Sequence, residues 1–486
     1  MTHHELASPA APHRDHRWAA LIVLCLGVLM IVLDTTIVNV ALPSIRASLG
    51  FSEASLAWVV NAYMLTFGGF LLLGGRLGDL YGHRRLFLAG IALFTLASLA
   101  CGMAETQRFL IAARGVQGLG GAVVSAVALS LIMDLFTEPA DRAKAMGVYG
   151  FVCSAGGSIG VLLGGLLTST LSWHWIFLVN LPIGIGVIAA SLRLLPAARG
   201  ASATRHLDVA GAVTVTASLM IATYAIVNGN EAGWMSTRTL GLLALALALL
   251  AIFLQIESHA RAPLMPLGMF RLRNVATANV VGVLWAGAMF AWFFLSALYL
   301  QLVLGYGPMQ VGLAFLPANL VMAAFSLGLS AKLVMRFGIR LPFVAGMLLA
   351  ATGLALFAQA PVDGSFVVHV LPGMTLLGLG AGIAFNPLLL AAMSDVAPTE
   401  SGLASGVVNT AFMMGGALGL AVLASLAAAR SDALLAFGAD RLAAITGGYH
   451  VAFLIGACFA VIAAVAGGVL FRVAAPSSGE AEAAMP

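Results

Sequence analysis

The sequence predicts an all-α polytopic membrane protein. Of its 486 residues, 61% are hydrophobic and 9% are charged, and the mean hydropathy is +1.04. A soluble domain carries about 25% charged residues, so this chain has too few polar side chains to cover a surface in water. The composition excludes a soluble enzyme, a disordered chain and a secreted disulfide scaffold, and it leaves lipid as the solvent.

Apolar runs of membrane-spanning length carry this prediction. A helix needs roughly 20 apolar residues to cross about 30 Å of hydrocarbon. Strands of a membrane barrel would instead alternate over about ten residues, so only helices fit these runs. The fourteen runs are 18–42, 55–75, 86–104, 108–133, 145–168, 174–194, 209–228, 239–256, 275–304, 311–333, 341–360, 366–392, 402–428 and 450–471.

The distribution of basic residues predicts the orientation. Arg14 and Arg17 precede the first run, which continues towards Pro43 without a convincing cleavage site, so we interpret it as a retained span rather than a signal peptide. With a cytoplasmic N-terminus, the cytoplasmic segments hold 17 Lys and Arg residues and the outer segments hold five. This bias follows the positive-inside rule, and an even number of spans places both termini in the cytoplasm.

Two weak internal matches predict a duplication. Residues 76–84 align with 332–340 at an offset of 256, and Gly156 and Gly160 align with Gly415 and Gly419 at an offset of 259. Such offsets leave room for two extra helices between two halves of six, as in transporters built from repeats. The predicted divisions are a cytoplasmic tail 1–17, a six-helix bundle 18–194, two linking helices with their loops 195–274, a second six-helix bundle 275–471 and a cytoplasmic tail 472–486.

The sequence lacks the residue patterns that ATP hydrolysis, nucleic-acid binding and metal binding require. A P-loop needs glycine directly before lysine, whereas Lys144 and Lys332, the only lysines, each follow an alanine, so ATP is not expected as the direct fuel. No basic patch has the density that nucleic-acid binding needs. The four cysteines lie in apolar runs without metal-ligand spacing. We therefore expect no cofactor, no bound metal, no nucleic acid and no enzymatic activity.

Asp34 is the most informative residue because it lies inside the first predicted span. An intramembrane carboxylate is costly and usually faces a cavity or a partner. We expect it to take up and release a proton, and a permanently hydrogen-bonded structural carboxylate is the alternative. Arg114 lies inside the fourth run, with Gln117 on the same helical face. Arg114 would either tune the protonation of Asp34 or anchor a hydrogen-bond network.

The loop from Gly75 to Phe87 is short, charged and interrupted by glycine. It is interpreted either as a tight turn between two spans or as a conformational latch between the two halves. The residues assigned to the latch are Gly75, Asp79, Gly82, Arg84 and Arg85.

Four motifs in order resemble the major facilitator superfamily and, within it, the fourteen-span drug:proton antiporters. They are the loop motif 75–85, the span-4 motif 114–120, the span-1 motif 34–43 and the marker of the fourteen-span branch at 173–184. The antiporter signature of span 5 is incomplete, because Gly156 and Gly160 are followed by Val161 where relatives carry a proline, and then by Gly164 and Gly165.

The resemblance implies a major facilitator fold of six, two and six helices that works by alternating access. It implies export of lipophilic or cationic drugs in exchange for protons, coupled through Asp34 and Arg114. It also implies that Asp79 contacts the cytoplasmic start of a helix in the other half, near Thr399 and Ser401, and that Gly156, Gly160, Gly164 and Gly165 pack helices together. Span 10 offers Asn319 instead of a carboxylate, which argues against dicationic substrates.

The substrate site is expected near the midplane between the halves. Aromatic faces suit flat, lipophilic cations, although packing explains such residues equally well. The candidates are Asn39, Asn61, Gln117, Trp285, Phe290, Trp292, Tyr299, Asn319 and Asn386.

Other functions stay open on the sequence alone. The chain could export one endogenous metabolite, such as an antibiotic or a siderophore. A proton symporter for uptake and a receptor without transport fit the motifs less well. We expect a monomer in the inner (cytoplasmic) membrane of a bacterium, with small lipophilic molecules and protons as its ligands and the lipid bilayer around it. A periplasmic adaptor protein is left open as a partner.

Overall fold

The computed structural model describes residues 14–136, 138–195, 208–260, 263, 265, 267–393, 396 and 401–471. All regular structure in these ranges is helical. The predicted tails lie outside the described residues, except for the segment 14–17 that opens the first helix.

Seventeen α-helices are described, together with one 3₁₀ turn, Leu267–Arg271, and three π-helical segments, Tyr299–Val303, Phe325–Leu329 and Phe366–Val370. The α-helices are α1 Arg14–Leu49, α2 Glu53–Leu56, α3 Trp58–Tyr81, α4 His83–Gly102, α5 Gln107–Leu135, α6 Pro139–Thr170, α7 Trp175–Leu178, α8 Asn180–Leu194, α9 Val209–Ala232, α10 Thr237–His259, α11 Arg273–Leu298, α12 Pro308–Ala324, α13 Ser330–Phe337, α14 Arg340–Phe357, α15 Leu371–Met393, α16 Ser401–Ala436 and α17 Arg441–Leu470.

Twelve helical segments in the described ranges are long and apolar enough to cross a membrane. Two shorter apolar segments, Ile159–Thr170 and Pro308–Ala324, accompany them. The first is the end of the 32-residue helix α6, and the second leads through a π-helical segment into α13. The predictions of an all-helical membrane protein and of helices at these two places are confirmed, while the fourteen-span arrangement stays a prediction.

The helix ends differ from the predicted edges. The run 450–471 belongs to a helix that begins at Arg441, and the run 18–42 belongs to one that extends from Arg14 to Leu49. Hydropathy marks the part of a helix that suits hydrocarbon, whereas its hydrogen-bond ladder continues beyond that part. The run 174–194 is divided into α7 and α8 at Val179.

The helices pack in two groups that meet along a few helices. In the first group α1 packs against α6 and α8, and α5 lies between α3 and α4. In the second, α14 packs against α15 and α17, and α11 packs against α16 and α17. The groups meet where α3 contacts α16 and where α6 contacts α12.

The linking helices lie beside this junction. Helix α9 packs against α10, α3 and α16. The side-chain amide of Asn230 donates to the backbone oxygen of Ser425 at 2.8 Å, and a Cβ added at Gly69 would lie 1.9 Å from the hydroxyl oxygen of Thr216. Helix α9 is therefore held against one helix from each group.

Glycines that the predicted duplication aligns have similar surroundings in the structure. Gly82 and Gly338, which the 256-residue offset aligns, both end a helix with positive φ, 91° and 72°. Residues other than glycine rarely adopt this conformation, so each turn needs glycine. The glycines of the second match also pack alike, because Gly160 lies against Leu33 of α1 and Gly419 lies against Gly287 of α11.

Candidate functional site

Asp34 and Arg114 meet inside the first group of helices. The Arg114 Nη1 donates to Asp34 Oδ2 in an ion pair, and its Nε donates to the backbone oxygen of Val59 at 2.9 Å. Asp34 is 0% exposed and Arg114 is 1% exposed. The two intramembrane charges that the sequence singles out are thus direct partners and face protein rather than lipid.

Gln117 joins this pair from the next turn of α5. Its Nε2 donates to Asp34 Oδ1 at 2.7 Å, and its Oε1 accepts from Arg114 Nη1, also at 2.7 Å. The spacing i, i+3 places both side chains of α5 on one helical face. Gln117, which the sequence suggested for substrate binding, lies in the Asp34 network in this structure.

Two further members, Ser98 and Asn180, are absent from the residues selected on sequence. Asn180 Nδ2 donates to Asp34 Oδ1 at 3.3 Å and to Ser98 Oγ at 3.4 Å. Gln117 Nε2 also donates to Ser98 Oγ, at 2.8 Å. The only sequence signal for Asn180 was its position inside the 173–184 motif, and Ser98 had none.

Aromatic rings enclose the guanidinium of Arg114. Its central carbon lies 4.4 Å from the ring centroid of Tyr63 and 5.6 Å from that of Phe177. Cations within about 6 Å of a ring centroid are attracted to the face of the ring. The positive charge is therefore stabilised by two rings as well as by its carboxylate.

The marker motif 173–184 has a clear packing role. Asn180 is the first residue of α8, and Gly184 lies one turn further along. A Cβ at Gly184 would lie 2.0 Å from the Thr95 hydroxyl oxygen of α4. Glycine thus lets α8 approach α4 closely at the level where Asn180 reaches Asp34.

The glycines of α6 pack on the helix that carries Asp34. A Cβ at Gly156 would lie 2.9 Å from Val32, and one at Gly164 would lie 2.6 Å from the backbone oxygen of Ile37. Gly165 faces the other group, because its Cβ would lie 2.7 Å from the backbone oxygen of Pro308. Helix α6 therefore meets the main chains of both α1 and α12.

The predicted latch residues have different surroundings. Arg84 Nη2 donates to the backbone oxygen of Leu192 at 2.7 Å, so it binds the last turn of α8 in its own group. The last turn of a helix leaves carbonyl oxygens free to accept such a bond, and the role of Arg84 in a latch between the halves stays a prediction. Gly82 supplies the turn, Gly75 lies 3.9 Å (from an added Cβ) from Ala126, and Arg85 is exposed.

The predicted partner contact of Asp79 falls outside the described part of the chain. The backbone of Asp79 lies in α3, but its side chain is not described. The same holds for the side chain of Ser401, and Thr399 is not described at all. The latch between Asp79 and this region stays a prediction.

The other substrate candidates do not form one cluster by any described hydrogen bond or ring contact. Trp285, Trp292 and Tyr299 are each 1% exposed, so their faces are covered by protein in this conformation. Tyr299 donates to the backbone oxygen of Pro361 at 2.6 Å. Burial of these large rings in the core of the second group is favoured because it removes 150–250 Å² of apolar surface per ring, as a rough range.

No described hydrogen bond or ring contact joins the remaining polar and aromatic candidates to one another. Asn39 donates to Thr35 of its own helix at 3.4 Å, and Asn386 donates to the backbone oxygen of Ser326 at 2.8 Å. Asn61 is 0% exposed, with neither side-chain polar atom hydrogen-bonded, and Asn319 is 3% exposed. Phe290 lies 6.1 Å from Phe412, measured between ring centroids.

Two groups of membrane-length helices, the first of which encloses a buried, ion-paired carboxylate, define a polytopic membrane transporter. The chain belongs to the Major Facilitator Superfamily, whose family profile matches residues 24–420. It is a multi-pass protein of a bacterial cell membrane and not an enzyme, as the sequence predicted.

Named relatives support this assignment. The chain is 40% identical to the puromycin resistance protein of Streptomyces alboniger, with 90% of this chain and 89% of that protein aligned. It is 41% identical to the cephamycin export protein of Amycolatopsis lactamdurans, over 83% and 84% of the two chains. A bacterial homologue of the human lysosomal transporter Spinster has the same fold, with a TM-score of 0.67, 17% identity and 96% and 100% coverage.

Proposed function

We propose that this chain is a proton-coupled antiporter that exports lipophilic or cationic small molecules from the cytoplasm by alternating access. The observation that carries the proposal is the buried pair of Asp34 and Arg114. Resistance and export proteins among its relatives support the direction of transport.

Proton binding and the buried pair are coupled by charge. A proton on Asp34 neutralises the carboxylate and leaves the Arg114 guanidinium buried without its counter-ion. An uncompensated buried charge costs several kcal/mol, so the protonated network favours a different packing of α1 and α5. That shift in preference links proton uptake to the side on which the transporter opens.

The proton gradient supplies enough free energy for export. A membrane potential of 100 mV contributes about 2.3 kcal/mol per charge. One pH unit adds about 1.4 kcal/mol, and the total of about 3.7 kcal/mol supports a solute gradient of several hundredfold per proton. No cofactor is needed in this scheme.

The proposed topology has fourteen spans in groups of six, two and six, with both termini in the cytoplasm. Helix α6 and the continuous helical segment 308–337 are then the two spans that are added to the twelve long ones. Helices α9 and α10 are the linking pair, which fits their position beside the junction of the groups. The predicted latch and the predicted substrate residues belong to this scheme, as does a monomeric state.

The decisive experiment measures transport in sealed proteoliposomes that contain the purified protein. An imposed pH gradient is expected to drive accumulation of a lipophilic cation such as ethidium in the wild type, and D34N is expected to abolish it. D432N, which alters an exposed carboxylate on α16, is the matched control and should transport normally. Equal pH-driven transport by D34N and wild type would exclude the coupling role.

Export of one endogenous metabolite is the second candidate. The cephamycin export protein of Amycolatopsis lactamdurans favours it, since its name specifies a single antibiotic. A panel of antibiotics and dyes in a strain without its own exporters, with and without an uncoupler, separates the two. Resistance to one compound supports the metabolite exporter, and resistance to many unrelated compounds supports the drug exporter.

A further inference from the structure

The side chains around Asp34 are arranged for its ionised form. Its Oδ2 accepts from Arg114, and its Oδ1 accepts from Gln117 and Asn180. A carboxylate can only accept hydrogen bonds, so three N–H donors suit it. Tyr63 and Cys101 are the other titratable side chains for which an electrostatic interaction with Asp34 is described.

A protonated Asp34 has the opposite need. Its carboxyl O–H must find an acceptor, because an unmade hydrogen bond at a fully buried group is costly. The guanidinium of Arg114 has no acceptor atom. At least one neighbour must therefore change its role when the proton arrives.

Two of the neighbours already use their acceptors. Gln117 Oε1 accepts from Arg114 Nη1 at 2.7 Å and from Cys101 Sγ at 3.6 Å. Ser98 Oγ accepts from Gln117 and Asn180 and donates its own hydrogen to the backbone oxygen of Phe94 at 2.8 Å. Neither oxygen can accept a hydrogen bond from a protonated Asp34 without losing one of its present hydrogen bonds.

Asn180 differs from these two neighbours because its acceptor is unused. The residue is 1% exposed, and its Oδ1 has no hydrogen-bond partner although its Nδ2 binds Asp34. A primary amide has donors on one atom and an acceptor on the other, so a half-turn of the side chain exchanges them. The residue can thus serve either protonation state of the carboxyl group.

We propose that Asn180 is a positioning residue that reverses its amide when Asp34 is protonated. With Asp34 ionised, Nδ2 donates to Oδ1 of the carboxylate. When a proton from solution binds to that oxygen, Oδ1 of Asn180 accepts the new O–H, and its NH₂ group turns away from Asp34 and Ser98. This role deepens the proposed function and depends on Asp34 being the proton site.

The reversal also loosens the contact between α8 and its neighbours. After the reversal, the NH₂ group of Asn180 loses its bonds to Asp34 and Ser98. It then lies where Oδ1 lay before the reversal, and no hydrogen-bond partner is described at that place. In the present packing, the protonated state therefore leaves hydrogen-bonding groups of Asn180 without partners. A movement of α8 relative to α4 would stabilise that state. Proton binding at Asp34 would in this way change the preferred position of α8 as well as that of α1.

Infrared difference spectroscopy of the whole protein in lipid vesicles tests this role without any transport. Spectra recorded at alkaline and acidic pH are subtracted, using protein grown with ordinary asparagine or with asparagine labelled with ¹³C at the side-chain carbonyl. The variants are N180L, which keeps the size but removes both polar atoms, and D34N. The control is N228L, because Asn228 binds only Tyr224 of its own helix among the described contacts.

In the wild type we expect a carboxylic acid band to appear on acidification together with a shift of one label-sensitive asparagine band to lower wavenumber. D34N should lose both signals. N180L should lose the asparagine signal and move the acid band to higher wavenumber, while N228L should match the wild type.

Two different outcomes would overturn the proposal. An acid band of Asp34 without any asparagine change, or with an asparagine change that survives in N180L, would exclude the role of Asn180 and leave the proton site intact. The absence of any acid band that D34N removes would exclude Asp34 as the proton site, and with it both this role and the proposed function.

Discussion

Gly160 of α6 lies directly against Leu33 of α1, the residue before Asp34. A Cβ at position 160 would lie 3.0 Å from the backbone oxygen of Leu33 and 2.1 Å from the Thr36 hydroxyl oxygen. Backbone cannot move aside as a flexible side chain can, so this contact fixes the height and rotation of α1 next to its carboxylate.

We expect G160V to displace α1 and to disturb the Asp34 network. Overpacking of this kind costs about 1–3 kcal/mol, so the melting temperature in detergent should fall, and efflux should fall with it. G157V is the matched control, since nothing lies within 4 Å of a Cβ at Gly157. Equal effects of the two substitutions would contradict the packing role of Gly160.

The buried ion pair should behave as a unit. R114M leaves Asp34 without its counter-ion, and we expect it to reduce the free energy of unfolding by about 3–5 kcal/mol. The double variant D34N/R114M removes both charges and should be more stable than R114M alone. Unfolding of all variants in mixed micelles measures the coupling, and simple addition of the single effects would mean that the two charges do not interact.

Gly184 lies one turn after Asn180 on α8, and its replacement by a larger residue should disturb the hydrogen bonds of Asp34. G184V would place side-chain atoms where Thr95 lies, because even a Cβ would come within 2.0 Å of the Thr95 hydroxyl oxygen. We expect α8 to move away from α4 and pH-driven transport to fall at least tenfold. G186V is the control, with nothing within 4 Å of an added Cβ. Normal transport by G184V would show that close approach of α8 is not needed.

His174 lies in the turn before α7, outside the spanning segments, with its ring stacked on Trp173 at 3.7 Å between centroids. Burial lowers the pKa of this imidazole from its usual value of 6.5. The unfolded chain then binds more protons than the folded protein just below pH 6.5, so folding stability falls as the pH drops through this range.

H174Q removes this difference in proton binding. We expect its melting temperature to change less than that of the wild type when the pH is lowered from about 7.5 to about 5.5. Melting curves recorded at a series of pH values test this. Parallel pH profiles for the two proteins would show that His174 does not contribute to the acid sensitivity.

Sequence reasoning found the charged centre of the site but not its full membership. Asp34 and Arg114 were identifiable because charges inside apolar spans are costly and need a partner. Asn180 and Ser98 were not, because small polar residues are common in membrane helices and often only join helices together. Their contact with Asp34 depends on the relative rotation of three helices that are distant in the sequence.

The fold shows the same division. Apolar runs predicted the helices, and the alignment of 76–84 with 332–340 paired the two segments that contain the turns at Gly82 and Gly338. Hydropathy could not reveal the break at Val179 or the π-helical segment Tyr299–Val303, because both leave the apolar character of the run unchanged. For Trp285 and Trp292 the sequence left substrate binding and packing open, and in this structure the interior of the second group encloses both.

The adjacent residues Gly164 and Gly165 give α6 a mechanical property. Successive residues of a helix point about 100° apart, and here one touches the main chain of α1 while the other touches that of α12. Because neither glycine has a side chain and both meet main-chain atoms, we expect little room for α6 to move independently of α1 and α12. In the proposed alternating-access cycle, we therefore expect a shift of the helix that bears the carboxylate to move α12 of the opposite half with it as a rigid body.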